Sequence, residues 1–334
     1  MSDAVHRGGA VEELIFGTGD LATIDERFAH FCRTELGSEV IETLFRATSV
    51  GVVVGLQLAD ARRVVVKAHQ PREDRAALEA VHRVQRHLHG AKFPAPRPLA
   101  GPASLGNGLA VAEELVTRGE FSDTHEPHLR YQMAEALAAH LEIAGACGAE
   151  PALKRGWNLY GGASLWPSKA HTPIFDFDST AAGAEWIDAL ATKVRPLTLE
   201  PSEPLIGHTD WSGKHFRFDD AGVTVVYDWD SLRVRTEAQI VGNAAMTHTA
   251  NFDLKGMKLT PSPEEMHAFI DDYSCARPVS LTNHERKQIA ACALFVAAYT
   301  ARCEHCLHPG NDAASDPNSF TSALLEHGDA YASL

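Results

Sequence analysis

The stretch Ile206-Gly207-His208-Thr209-Asp210-Trp211-Ser212-Gly213-Lys214-His215 runs into Phe216-Arg217-Phe218-Asp219-Asp220-Ala221-Gly222-Val223-Thr224-Val225-Val226-Tyr227-Asp228-Trp229-Asp230, and together they decide the reading of this chain. Phe216–Phe218 reads as a short strand. Asp219–Gly222 is a turn, opened by acids and closed by a glycine free to take positive φ. Val223–Tyr227 is dense in β-branched residues and reads as the returning strand. The predicted hairpin carries the chain out from His215 and back to Asp228, so those two residues share its open end. Asp210 precedes them as a second acid. This is the layout of a site that moves a phosphoryl group. Such a transfer needs one group to orient and deprotonate the attacking hydroxyl, and ligands to hold a divalent cation on the phosphates.

With His208-x-Asp210-x4-His215 followed by Val226-Tyr227-Asp228-Trp229-Asp230, the chain resembles the aminoglycoside phosphotransferase family, a branch of the protein-kinase-like fold. The resemblance implies that Asp210 is the catalytic base and Asp228 the magnesium-binding acid. It departs at His215, where that family usually has asparagine. A neutral imidazole can bind a metal, whereas magnesium prefers oxygen, so manganese is an alternative to magnesium here. The implied co-substrate is ATP or GTP.

The composition agrees with an enzyme of this kind. The chain has 334 residues, 45% hydrophobic and 22% charged, enough for two packed lobes. Its formal net charge of −14 disfavours nucleic acid and anionic membrane as partners. Met1-Ser2-Asp3-Ala4-Val5-His6 lacks the basic start and apolar core of a signal peptide. The longest apolar run, Ile289–Ala301, is too short to span a bilayer. A cytoplasmic protein is expected. Its six cysteines are then reduced. Cys303, His305, Cys306 and His308 invite a zinc reading, but they continue a helix and no second pair follows. Buried helical thiols are expected instead.

The pattern along the chain predicts an α+β protein with a small β-rich N-lobe and a larger, mostly helical C-lobe. Residues 1–38 form an extension with a helix from Asp20 to Gly37. Residues 39–120 hold strands at 39–46, 51–58, 62–68 and 109–115, with a helix over 72–89. The Pro94–Pro98 and Gly101–Gly108 stretches read as loops. Residues 121–334 hold helices at 125–147, 181–192, 236–251, 263–273 and 282–306, interrupted by the hairpin.

The nucleotide half is sparser in signal. Arg63–Ala68 is a β run that carries Lys67, which matches the family's phosphate-gripping lysine. Its acidic partner stays open: Glu79 faces away from the apolar side of the helix, while Glu73 and Gln85 fall nearer to it. The turn Ala47–Gly51 offers Thr48 and Ser49 to phosphate oxygens. The base would lie against the backbone of Glu113, Glu114 and Leu115. For the acceptor, Glu237, Asp271, Asp272 and Glu304 are candidate holders of a cationic substrate, and Trp157, Tyr160 and Trp166 candidate walls. The expected activity is transfer of the γ-phosphate to a hydroxyl of a small molecule. An antibiotic is first in line: an aminoglycoside, then a macrolide, nucleoside or peptide antibiotic. The alternatives are a metabolic kinase for a sugar, choline-like or amino-acid alcohol, and a weakly catalytic nucleotide-binding protein.

Overall fold

A computed structural model describes residues 9–172, 174–307 and 315–333. The Met1–His6 start and His308 lie outside these residues. The chain divides into two compact units after Thr117.

The N-terminal unit is a five-stranded antiparallel sheet with helices packed on it. Helices α1 (Ala10–Phe16) and α2 (Leu21–Phe31) come first; Asp20 caps α2 by accepting the Thr23 N–H. A π-helical turn, Cys32–Leu36, ends at Gly37, whose φ of 68° needs no Cβ. Then follow β1 (Val40–Thr48), β2 (Val52–Leu58), β3 (Arg63–His69), α3 (Arg75–Gly90), β4 (Pro98–Leu105) and β5 (Gly108–Glu114). The strand order is β1-β2-β3-β5-β4, which puts β3 in the middle, buried from Val64 through Ala68. Residues 9–38 do not stand apart from this sheet. Ile15, Phe16, Ile24, Phe28 and Phe31 form one core with Val52, Val54, Val64, Val66 and Ala112. Each of the valine, isoleucine and phenylalanine side chains contributes about 1.5–3 kcal/mol on full burial.

Strand β4 runs through the proline-rich stretch that reads as loops. It lies at the sheet edge and starts on Pro98, where a missing N–H costs no ladder bond. Its register shifts between Ala100 and Ala103, which accommodates Gly101-Pro102. Gly101 has a φ of 92°, and a Cβ there would lie 2.5 Å from the Ala110 carbonyl oxygen, so only glycine fits.

The C-terminal unit is mainly helical: α4 (Pro127–Gly145), α5 (Glu185–Thr198), α6 (Glu237–Thr247), α7 (Pro263–Ala276), α8 (Asn283–Leu307) and α9 (Phe320–Tyr331). Helix α8 is buried almost all round from Ile289 to Tyr299, enclosed by α5, α6 and α9. Two small ladders interrupt the helices. Strands β6 (Pro204–His208) and β9 (Leu232–Thr236) pair from Pro204–Thr236 to His208–Leu232. Between them, β7 (Phe216–Asp219) and β8 (Gly222–Val226) form the expected hairpin, with Phe216 opposite Val226. Among the described residues no helix is long and apolar enough to cross a membrane. The six cysteines are free thiols; Cys303 is buried on α8 and Cys306 meets the Thr180 hydroxyl at 3.0 Å.

Candidate active site

The β6–β9 ladder closes the ends of the loop that carries the predicted catalytic residues. Just past β6, Thr209 gives both its N–H and its hydroxyl to the Ser231 carbonyl, at 3.0 and 2.8 Å. The hairpin is tied in as well, since the Tyr227 N–H donates to the His215 carbonyl at 2.9 Å. His215 and Asp228 therefore meet at its open end, with Nε2 of His215 3.8 Å from Oδ2 of Asp228.

His208 braces the loop from below. Its ring is fully buried, edge-on to Trp211 and Trp229. Nδ1 accepts the Asp210 N–H at 3.2 Å, so the ring proton sits on Nε2 and is donated to the Tyr227 carbonyl at 3.0 Å. Burial pushes the His208 imidazole down to about 4, which keeps it neutral and leaves the Nδ1 lone pair free to accept. The His208 N–H in turn donates to Nε2 of His140, at 3.2 Å. Both indoles are anchored to backbone: Trp211 to the Met133 carbonyl and Trp229 to the Val226 carbonyl.

Asp210 sits on this platform with 34% of its side chain exposed. Oδ1 accepts the Ser212 hydroxyl at 2.9 Å. Oδ2 meets Nε2 of His215 and Nζ of Lys214, each at 3.0 Å. Burial pushes its carboxyl up, but the hydrogen bond and charge of His215, then Lys214, outweigh that and hold it well below the usual carboxylate range. Asp210 is thus an ionised acceptor aimed outward, the state a general base needs. Lys214 went unnoticed in the sequence, although its spacing of four from Asp210 was there to read.

Asp228 adopts a left-handed backbone, φ 63° and ψ 47°. A non-glycine residue rarely does so, and such strain gathers at functional positions. Its Oδ2 accepts the Ser231 hydroxyl at 3.1 Å. Among the described residues, Asp210, His215 and Asp228 form a group whose ligand atoms lie within 4.8 Å of one another. Two carboxylates and one imidazole fit a divalent cation. His215 has one Nε2, however: it can donate a proton to Asp210 or offer a lone pair to a metal, not both at once.

In the N-terminal unit, Lys67 projects from β3 with only 7% of its surface exposed. It pairs with the Glu113 carboxylate of β5, Nζ to Oε1 at 3.4 Å. Glu79 is exposed and Glu73 lies 3.8 Å from Arg72. Gln85 does face inward, fully buried, and its amide donates to Oε2 of Glu113 at 2.8 Å. Thr48, at the end of β1, gives its hydroxyl proton to Oε1 of Glu12 at 2.5 Å, and the Ser49 N–H goes to the Gly51 carbonyl. The Glu114 and Leu115 amides donate to the Arg97 and Arg63 carbonyls. Both N–H groups are thereby engaged.

The structure does not assemble the acceptor acids. Glu237 accepts from the Tyr273 hydroxyl and Arg277, at 2.5 and 3.2 Å. Asp272 holds Arg130 at 2.8 Å and Asp271 holds Arg286. Glu304 caps α9, accepting the Phe320 and Thr321 amides at 2.9 Å. Of the three aromatics, Tyr160 is buried and stacks on Phe295, while Trp157 and Trp166 line a cavity of about 410 Å³ with Asn158 and Lys169. Arg235 of β9 holds the Trp157 carbonyl at 2.8 Å, which ties that wall to the ladder framing the catalytic loop.

Against this geometry stand the comparisons with known proteins. The model of the phosphotransferase enzyme family matches residues 53–253. No curated protein matches the chain in sequence. Among solved structures, the chain is similar to amicoumacin kinase hAmiN, solved with AMP-PNP, Ca2+ and Ami, at 10% identity and a TM-score of 0.63, over 86% of this chain and 87% of that one. It is similar to an ethanolamine kinase of Plasmodium vivax at 14% identity and a TM-score of 0.53, over 87% and 81%. A fructosamine-3-kinase-like structure from Thermobifida fusca matches at 18% identity and a TM-score of 0.54, over 91% and 97%. At these identities the likeness is one of fold, and the fold is the protein-kinase-like one of small-molecule phosphotransferases.

Proposed function

Because the chain belongs to the phosphotransferase enzyme family, we propose that it moves the γ-phosphoryl group of ATP or GTP to a hydroxyl of a small molecule. The observation that carries this reading is the Asp210 carboxylate, held ionised by His215 and Lys214 on a loop braced by a neutral His208. Asp210 takes the proton of the attacking hydroxyl. Lys214, 3.0 Å from the same oxygen, offsets negative charge as that proton leaves. Lys67 grips the nucleotide phosphates. Asp228 would hold the divalent cation, joined by His215 once its Nε2 turns from Asp210 to the metal and leaves Asp210 to Lys214, and the cation would supply charge neutralisation on the phosphate oxygens. Ser212 fixes the Asp210 carboxylate by its hydroxyl, so the base is oriented before the acceptor arrives.

For the acceptor, we infer an antibiotic or a metabolic alcohol recognised by shape and aromatic surface. The four acids considered for a polycation are committed to arginines, a tyrosine hydroxyl and a helix cap. That favours a macrolide, a nucleoside antibiotic or a small metabolic alcohol over an aminoglycoside. The test is a screen with radiolabelled ATP and GTP against aminoglycosides, macrolides, nucleoside and peptide antibiotics, sugars, choline-like alcohols and amino-acid alcohols. Label transfer to one class, with the phosphate located by phosphorus NMR, supports the reading. Tight nucleotide binding without transfer to any acceptor would instead support a nucleotide-binding protein with little catalysis.

A further inference from the structure

We propose that Glu113 is the residue that positions Lys67 toward the nucleotide phosphates, and that Gln85 of α3 locks Glu113 in that role. The inference rests on the phosphotransferase reading of Lys67, and its observations lie entirely within the N-terminal unit.

The sheet register makes the pair. On β3, alternation puts Val65 and Lys67 on one face. Val65 lies opposite Glu113 on β5 and Lys67 opposite Val111. Glu113 is therefore the diagonal cross-strand neighbour of Lys67, within reach of a long side chain. Both groups are buried, at 7% and 5% exposure, and neither is screened by bulk water. The carboxylate divides its oxygens between the two: Oε1 faces Lys67 and Oε2 accepts from Gln85.

Gln85 is suited to this task because it is an amide. Its Nε2 donates one hydrogen to Glu113 at 2.8 Å and the other to the Pro96 carbonyl at 2.9 Å. Turning the amide over would set its carbonyl oxygen against a carbonyl and a carboxylate, so its orientation is fixed. A glutamate at 85 would crowd a second carboxylate against Glu113 while Glu113 keeps its charge. The helix thus contributes a neutral clamp, and the negative charge sits on the strand. Lys67 takes its aim from the ladder, and a shift of α3 would loosen Glu113 without removing the countercharge.

The test is calorimetric binding of ADP with Mg2+ and of adenosine, with GDP and guanosine run in parallel. Glu113→Gln should weaken ADP by about 10–100-fold, as expected for a lost charged contact, and leave adenosine within about twofold. Gln85→Leu, which keeps the ion pair and removes the clamp, should show the same ADP-selective loss at smaller size, and it carries the test if Glu113→Gln does not fold. Equal loss of ADP and adenosine would reduce Glu113 to a structural residue and overturn the proposal. So would an Glu113→Gln protein that binds ADP like the wild type. A wild-type protein that binds neither diphosphate sinks the phosphotransferase reading itself, a different result from either.

Discussion

Replacing Asp210 by asparagine removes one charge at the reacting end of the site and little else. In the wild type Oδ2 faces two donors, His215 and Lys214, each at 3.0 Å. Oδ1 accepts from the Ser212 hydroxyl. An asparagine turns its oxygen toward the two donors and its amide toward Ser212, whose hydroxyl rotates to accept. The side chain keeps its place, the loop keeps its His208 bond, and no atom is added. What is lost is the proton acceptor. General-base catalysis contributes about 10²–10⁴-fold, which is about 2.7–5.4 kcal/mol of barrier. The Asp210→Asn protein should therefore bind ATP or GTP within about threefold of wild type, while turnover with the acceptor found by the screen falls by that factor. Stopped-flow or steady-state assays at fixed Mg2+ read the rate, and calorimetry reads the binding. A variant within tenfold of the wild-type rate would refute the base assignment.

Asp228→Asn should abolish metal-dependent nucleotide affinity, measured as the difference between titrations with Mg2+ and with EDTA; an unchanged difference would exclude Asp228 as the ligand. Asparagine is the substitution to use, because it tolerates the left-handed backbone, whereas alanine adds strain on the order of 1–3 kcal/mol. His215→Asn, which supplies an oxygen where the imidazole stands, should keep or raise turnover with Mg2+ and lower the advantage of Mn2+; an identical metal preference in His215→Ala would make His215 a partner of Asp210 alone. The His125–Glu265 pair, 2.8 Å apart, should stabilise the C-terminal unit within a defined pH window. The hydrogen bond that His125 donates to Glu265 raises the His125 pKa, so that contribution is full below about 6.5 and is lost as pH rises through the raised value. Burial pushes the Glu265 carboxyl up, but the His125 bond, the Ser262 amide and the charge of His125 together outweigh it and bring it to about 2, so its contribution is present above 4.5 and lost as pH falls. The melting temperature of wild type should exceed that of His125→Gln by more at pH 6 than at pH 9; an equal gap at both would show that the pair is insensitive to protonation.

The parts of this protein that were legible in its sequence are those written in local pattern. Val223–Val226 is β-branched and follows a turn of acids and glycine, so the β7–β8 hairpin is written in the local pattern. Helix α3 showed its apolar stripe, and the Pro263–Ala276 helix announced itself with Ser262 and Pro263. The short ladder β6–β9 was not legible, because two strands of five residues separated by a loop and a hairpin leave no periodicity of their own. Strand β4 was hidden by its prolines, which an edge position tolerates. The partner of Lys67 was invisible for a deeper reason. Glu113 and Lys67 are remote in sequence, and only the β3–β5 register puts them on one diagonal. The candidate acids of the C-terminal unit carried the opposite lesson: charge is evident in a sequence, but whether it is spent on Arg130, Arg277 or a helix cap is decided by packing.

Glu12 has an unusual position for an acid near a chain terminus: it is 5% exposed, takes the Gly9 N–H at 2.9 Å and receives the Thr48 hydroxyl. Helix α1 is pinned at its far end too, where the Ile15 carbonyl accepts the Asn107 N–H at 2.7 Å and a Cβ on Gly106 would lie 2.4 Å from the same oxygen. The first helix is therefore a strut between the β1–β2 turn and the β4–β5 turn. Anything that tugs on it, such as a fused tag or a protease nick ahead of Leu21, would be felt at Thr48 as a released hydroxyl and a slackened turn. A preparation cut there would also lose Ile15 and Phe16 from the core that packs on the sheet, so the state of this one helix bears on the stability of the whole N-terminal unit.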